Sequence, residues 1–252
     1  MKVPKARPGS RRRRRKTPRK KAAKIRLAGF GPLVAAFAIF LIINSLMFVV
    51  TSVYPSTIDY LSLAPDRPWG IFTSAFIHAN VEHLVNNLEG FTLACTLFVF
   101  VILSSSPESR RRSSRLFLWL IFISGFLADG VEFLVWRLTG TLNVSSFGAS
   151  GIVYAAIGVL LASALYSFPK NAARIRELVA KRKQSSKFIR DAMVPAFAML
   201  TFVVLLFELV SNPADFFSAA PGIDVFAHEM GFLIGYNSLA IVLMWLTLTK
   251  RL

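Results

Sequence analysis

Hydrophobic residues along this chain fall into six long runs, with polar residues gathered in the connections between them. The runs lie at about Leu27–Val53, Glu82–Leu103, Arg115–Trp136, Gly148–Phe168, Met193–Val210 and Asp224–Leu248. Each is long enough, as a helix, to cross a hydrocarbon core about 30 Å thick. The pattern predicts an all-α, polytopic membrane protein with six transmembrane helices. Charge separates the connections into two kinds. Arg110, Arg111, Arg112 and Arg115 follow the second run, and Lys170 to Arg190 carries eight basic residues after the fourth. Together with both chain ends, 28 of the 30 Lys and Arg fall on one side, leaving only Arg67 and Arg137 on the other. The positive-inside rule puts that side, and both termini, in the cytoplasm. The cell membrane is the expected location.

Composition agrees: 54% of residues are hydrophobic and the mean hydropathy is +0.55, which excludes an ordinary soluble domain. The net charge of +17 is concentrated in residues 1–26, which hold 14 basic residues and no acid. Such a tail has nothing apolar to bury and is expected to be disordered. Its simplest role is to hold the first helix in place. Anionic lipid is a conceivable partner for it, and nucleic acid is not expected. The expected domains are therefore a cytoplasmic tail over 1–26 and a membrane domain over 27–252. The tail is too long, and the run behind it too apolar, for a cleaved signal. Cys95 is the sole cysteine, so no intramolecular disulfide forms, and it reads as core.

The outer connections carry their own pattern. Tyr54 to Val81 is rich in apolar and aromatic residues, as expected of a loop lying in the membrane interface. Ser211 to Ile223 has Pro and Gly near its ends and Phe216-Phe217 in the middle, and reads either as a turn or as a mobile cap.

Candidate chemistry centres on Gly148-Ala149-Ser150-Gly151. A serine between glycines is common where membrane helices approach closely, so packing is the first reading. Depth changes it. The second, fourth and sixth spans all run from outside to inside; His83 and Asn87 open the second, Ser150 opens the fourth, and His228 lies one turn into the sixth. Four polar residues distant in sequence thus share one depth. Intramembrane ionisable groups are costly and point to function. His83 and Asn87 share a helix face, as do Ser150 and Tyr154. Gly231 and Gly235 extend from His228 as a stripe of small residues, and Gly151, Ala155, Gly158 and Ala162 form a matching stripe that lets the two backbones approach. A serine needs an adjacent base to become a nucleophile, and His228 can take its proton and return it to a leaving amine. Asn87, His83 and the Ser150 N–H are candidate donors to an oxyanion. Tyr154 can stack on the imidazole. Asp224, one turn above His228, reads as a helix N-cap or as a third member of a triad. The chemistry requires neither metal nor cofactor.

These residues resemble the rhomboid intramembrane serine proteases. The matching motifs are Gly148-Ala149-Ser150-Gly151, Ala227-His228-Glu229-Met230-Gly231-Phe232-Leu233-Ile234-Gly235, and His83-Leu84-Val85-Asn86-Asn87 preceded by Trp69 to His78. The resemblance implies Ser150 as nucleophile and His228 as base in a dyad without an acid. It implies an oxyanion site of His83, Asn87 and the Ser150 N–H beside Gly148, and Tyr154 stacked on the histidine. His78 matches a recurrent histidine that is structural or adjacent to the oxyanion. The implied fold is a six-helix core with both termini inside, a short fourth helix, and the fifth helix and cap as gate. The implied substrates are single-pass transmembrane proteins in the surrounding lipid, cut near the outer face. One departure is Gly70, where the family often has an arginine that braces the first outer loop. Outside the motifs, Asp129, Glu132 and Glu208 read as interface-seeking or pairing with Arg137, and Glu89 as buried. The alternatives are a catalytically silent rhomboid-like protein that binds membrane clients, and a small transporter. The latter predicts an inverted repeat that the chain lacks.

Overall fold

The structure is a computed structural model that describes residues 28–180, 186–217 and 224–248. The basic tail, and the part of the 211–223 connection from 218 onward, lie outside the described residues. Six helices are long and apolar enough to span a membrane. They are α1 (Gly31–Val53), α2 (Val81–Ile102), α3 (Pro107–Thr139), α4 (Ser150–Ala180), α5 (Ser186–Ser211) and α6 (Val225–Leu248). The chain is thus a multi-pass integral membrane protein, and six crossings return it to the side on which it starts.

Helix ends follow local chemistry. Asn80 caps α2, its side chain accepting from the His83 N–H at 2.8 Å. Ser106 caps α3 ahead of Pro107, and Gly140 ends that helix with a φ of 67°. Two helices outrun their apolar stretches. α3 spans 33 residues because the arginine-rich turns before Arg115 are already helical. α4 spans 31 and continues through Pro169 into the basic segment, so the fourth helix is long rather than short.

α4 is the centre of the bundle. Of its most apolar window 67% is buried, against 17% for α1 and α5, and α2, α3, α5 and α6 all pack on it. Alanines and glycines along α4 let its neighbours close in. The α4–α6 seam is the tightest: a Cβ on Gly231 would collide with the Gly151 backbone, one on Gly235 with Ala155, and one on Gly158 with Phe232 and Tyr236. Elsewhere aromatic pairs fill the gaps. Phe40 of α1 stacks on Phe91 of α2 at 4.2 Å, and Phe98 of α2 on Phe117 of α3 at 4.0 Å.

The long outer connection is folded. It contains helical turns at Ser56–Leu61, Gly70–Thr73 and Ser74–Phe76, buries Leu63, Ala64, Ala75 and Ile77, and exposes Tyr54, Tyr60, Trp69 and Phe72. Glycine is required at position 70 for a steric reason: any side chain there would run into the Leu63 backbone. Other bonds hold the loop. The Trp69 indole N–H donates to the Tyr60 carbonyl at 2.8 Å, the Thr73 hydroxyl to the Leu61 carbonyl at 2.6 Å, and Leu63 pairs with Ser146 in an antiparallel bridge.

Candidate active site

The N-terminal ends of α2, α4 and α6 meet at one level of the bundle. Ser150 is the first residue of α4, where backbone N–H groups have no intrahelical acceptor and the helix dipole is positive. Gly148 precedes it with a φ of 121°, a conformation that favours glycine, and its N–H donates to the Ser74 carbonyl at 2.9 Å. Space demands the same residue. A Cβ on Gly148 would come within 2.6 Å of His83 Nε2 and 3.7 Å of Asn87 Nδ2. His83, Asn87 and the Gly148–Ser150 turn therefore converge. The Asn87 amide gives one hydrogen to the His83 carbonyl at 3.0 Å and retains a second.

His228 occupies the fourth position of α6 and is 6% exposed. Tyr154 lies against it, ring centroids 4.2 Å apart and planes 19° from parallel. The tyrosine hydroxyl donates to the Phe216 carbonyl at 2.8 Å. His228 Nδ1 lies 2.7 Å from the Phe217 carbonyl. A carbonyl only accepts, so this contact puts the hydrogen on Nδ1 and leaves the lone pair on Nε2. The helical turn Pro213–Phe216 and Phe217 thus cap the site through two backbone oxygens. Their rings join in: Phe217 stacks on Tyr154 at 5.9 Å and meets Phe232 edge-on at 5.7 Å. No hydrogen bond joins Ser150 to His228 among the described residues. What brings their helices together is the glycine seam, since Gly151 and Gly231 are their near neighbours in sequence.

Asp224 takes the N-cap role, one of its two expected readings, whereas Asp129, Glu132 and Glu89 stand elsewhere than the sequence predicts. Asp224 is no triad member: one oxygen accepts from the Ala227 N–H at 3.0 Å as an N-cap, the other accepts from the Ser146 hydroxyl, and His228 Nδ1 is already taken. Asp129 and Glu132 neither seek the interface nor pair with Arg137, which is exposed. Both are buried. Asp129 accepts from the Ser74 hydroxyl at 3.1 Å, and one of its oxygens would lie 3.3 Å from a Cβ on Gly151. Glu132 lies beside Asp224 and Ser146. Glu89 is exposed rather than buried, and Glu208 is exposed and bonded to Asn212 at 3.3 Å.

Asp129 is the neighbour of the site that sequence reasoning missed. Its signal was present in Gly125-x-x-x-Asp129, a small residue and an acid on one face of α3, where a Cβ on Gly125 would strike Ile152. His78 sits in the loop before α2, 1% exposed, its ring 5.0 Å from that of His83. Burial, and secondarily the nearness of His83, depress its pKa to about 3, so it is neutral at physiological pH. No group of metal-ligating side chains assembles among the described residues.

Comparison with known families finds a Rhomboid domain over residues 65–245, which takes in every residue of this site. A search among curated proteins returns no match.

Proposed function

The chain belongs to the rhomboid family, and from that premise we propose that it is an intramembrane serine endopeptidase using Ser150 and His228. The observation that carries the reading is the state of His228: stacked on Tyr154, bonded at Nδ1 to a carbonyl, and set on the helix that closes on Ser150 through Gly231 and Gly151. In this reading the Ser150 hydroxyl attacks the carbonyl carbon of a substrate amide while its proton passes to Nε2 of His228. The amide oxygen becomes an anion. It is received by the Ser150 N–H at the positive end of α4, the second hydrogen of the Asn87 amide, and His83. His228 returns the proton to the leaving nitrogen, the C–N bond breaks, and an ester to Ser150 remains. Water then hydrolyses the ester with His228 again as base.

Substrates are single-pass membrane proteins, cleaved near the outer face under the orientation given by the basic residues. Polar groups are tolerated at this depth because they line a site reached by water. Replacing Ser150 with Ala abolishes cleavage of a reporter transmembrane protein in proteoliposomes and leaves the folded yield unchanged; undiminished cleavage overturns the assignment. A serine-acylating probe separates this reading from a silent client-binding protein. It labels Ser150 in the wild type and not in His228→Ala, whereas a silent protein is not labelled at all.

A further inference from the structure

Between α1 and α2, at the end of the bundle where the arginines of α3 lie, is an open groove of about 180 Å³. Phe30, Leu33, Val34 and Phe37 line one wall, and Thr92, Cys95, Thr96 and Val99 the other. Each set is spaced i, i+3, i+4, i+7, so each wall is a single helix face. The walls are unequal in bulk. The α2 side offers only a cysteine, a valine and two threonines, leaving a furrow that the large side chains of α1 do not fill. Thr92 turns its hydroxyl back to the Leu88 carbonyl, which leaves a methyl toward the furrow. The surface is therefore apolar along its length.

The mouth of the groove is basic. The Arg110 guanidinium lies 5.3 Å from the centroid of the Phe30 ring, and the backbone at Gly29 fits tightly against Pro107 and Arg110. Arg111 and, one turn beyond it, Arg115 are exposed on the adjoining face of α3, whereas Arg112 lies about 200° round the helix from Arg110; Glu108 is the nearby acid in sequence. We propose that this groove is a binding site for one anionic phospholipid, an acyl chain lying between α1 and α2 and the phosphate held by the arginine-rich turn of α3. An acyl chain suits a narrow, dry furrow that opens to the bilayer. A headgroup carrying net negative charge suits several exposed guanidinium groups, whereas a zwitterionic headgroup would bring an ammonium into the same field. The groove lies at the opposite end of the bundle from Ser150.

The test reads lipid retention directly. The full chain is purified in detergent, exchanged into micelles containing equal phosphatidylcholine and phosphatidylglycerol, and examined by native mass spectrometry. One phosphatidylglycerol is expected to stay bound to the wild type, in about tenfold preference to phosphatidylcholine, on the scale of one or two basic contacts to an anionic headgroup. The preference disappears in Arg110→Gln/Arg111→Gln, and no lipid is retained by Thr96→Trp, which fills the furrow. Glycerol 3-phosphate in excess does not displace the lipid, which separates a lipid from a free phosphate. Retention of phosphatidylcholine as firmly as phosphatidylglycerol, or a preference that persists in the double arginine variant, overturns the proposal.

Discussion

Gly231→Ala tests how closely the site depends on the seam between α4 and α6. The added methyl would be driven onto the Gly151 backbone, with the carbonyl oxygen inside contact distance and the carbonyl carbon and Cα at 3.2 and 3.3 Å. Helix backbone cannot swing away as a side chain can, so the helices themselves must part. Restoring ordinary contact takes a displacement of about 1 Å, and misplacement on that scale costs on the order of a hundredfold in rate. Overpacking at such a seam also costs about 1–3 kcal/mol of stability. Gly151→Ala is the matched control. Its methyl would meet a side-chain oxygen of Asp129 at 3.3 Å and the Gly125 carbonyl at 3.7 Å, so a small adjustment suffices. The assay is kcat/KM for a fluorogenic transmembrane substrate in proteoliposomes, normalised to folded protein, with thermal unfolding alongside. Gly231→Ala should fall about a hundredfold, and Gly151→Ala less than about tenfold. Wild-type kcat/KM in Gly231→Ala, or equal damage from both, refutes the idea that this glycine sets the distance between base and nucleophile.

Other substitutions probe the loop, the stack and the buried histidine. Tyr154→Phe keeps the ring on His228 and loses one hydrogen bond worth about 1 kcal/mol; Tyr154→Ala also loses the stack, and cleavage kinetics should show the second falling well below the first. If both cleave equally, the ring has no orienting role. Gly70→Arg, which restores the residue common in the family, should destabilise this chain by at least about 2 kcal/mol in thermal melts, because the side chain has only the Leu63 backbone to enter. His78 titrates near 6.5 when unfolded and near 3 when folded. The unfolded chain therefore binds more protons between these values, and the contribution of His78 is complete above pH 6.5 and lost as pH falls toward 3. At pH 5 the loss is about 2 kcal/mol. Unfolding midpoints for the wild type and His78→Gln should converge with acidification, and parallel pH curves count against this burial.

Much of the architecture was legible because a bilayer imposes it. Six runs of spanning length and a one-sided distribution of arginine and lysine leave few alternatives, and shared depth singles out Ser150 before any family is considered. Helix ends were less legible: the turns around Arg110–Arg112 and beyond Pro169 are polar, so hydropathy stops where the helix continues. Glu89 could have been placed. Two residues after Asn87 is about 200° around a helix, so a buried Asn87 turns Glu89 outward. Asp129 looked like an acid at the end of a span because nothing in its own helix reveals that the Ser74 turn folds in to meet it. The partner of His228 Nδ1 was beyond reach of any motif. It is a backbone carbonyl, and backbone atoms carry no residue-specific signature.

That carbonyl has an energetic consequence. The cap is tied to the site by hydrogen bonds from Tyr154 and His228. Two such bonds, at about 1 kcal/mol each, by themselves hold the lifted state to a few per cent of molecules, before the packing of Phe216 and Phe217 on Tyr154 and Phe232 is counted. A polypeptide that reaches Ser150 only when the cap is lifted then binds with an apparent affinity about thirtyfold weaker than its intrinsic one. The same polypeptide must also leave His228 with an acceptor for its Nδ1 hydrogen, from itself or from water that enters with it. Under the proposed function, weak resting affinity is thus built into the resting geometry, and discrimination among the crowd of helices in a membrane would fall to whichever of them can stabilise the minority state.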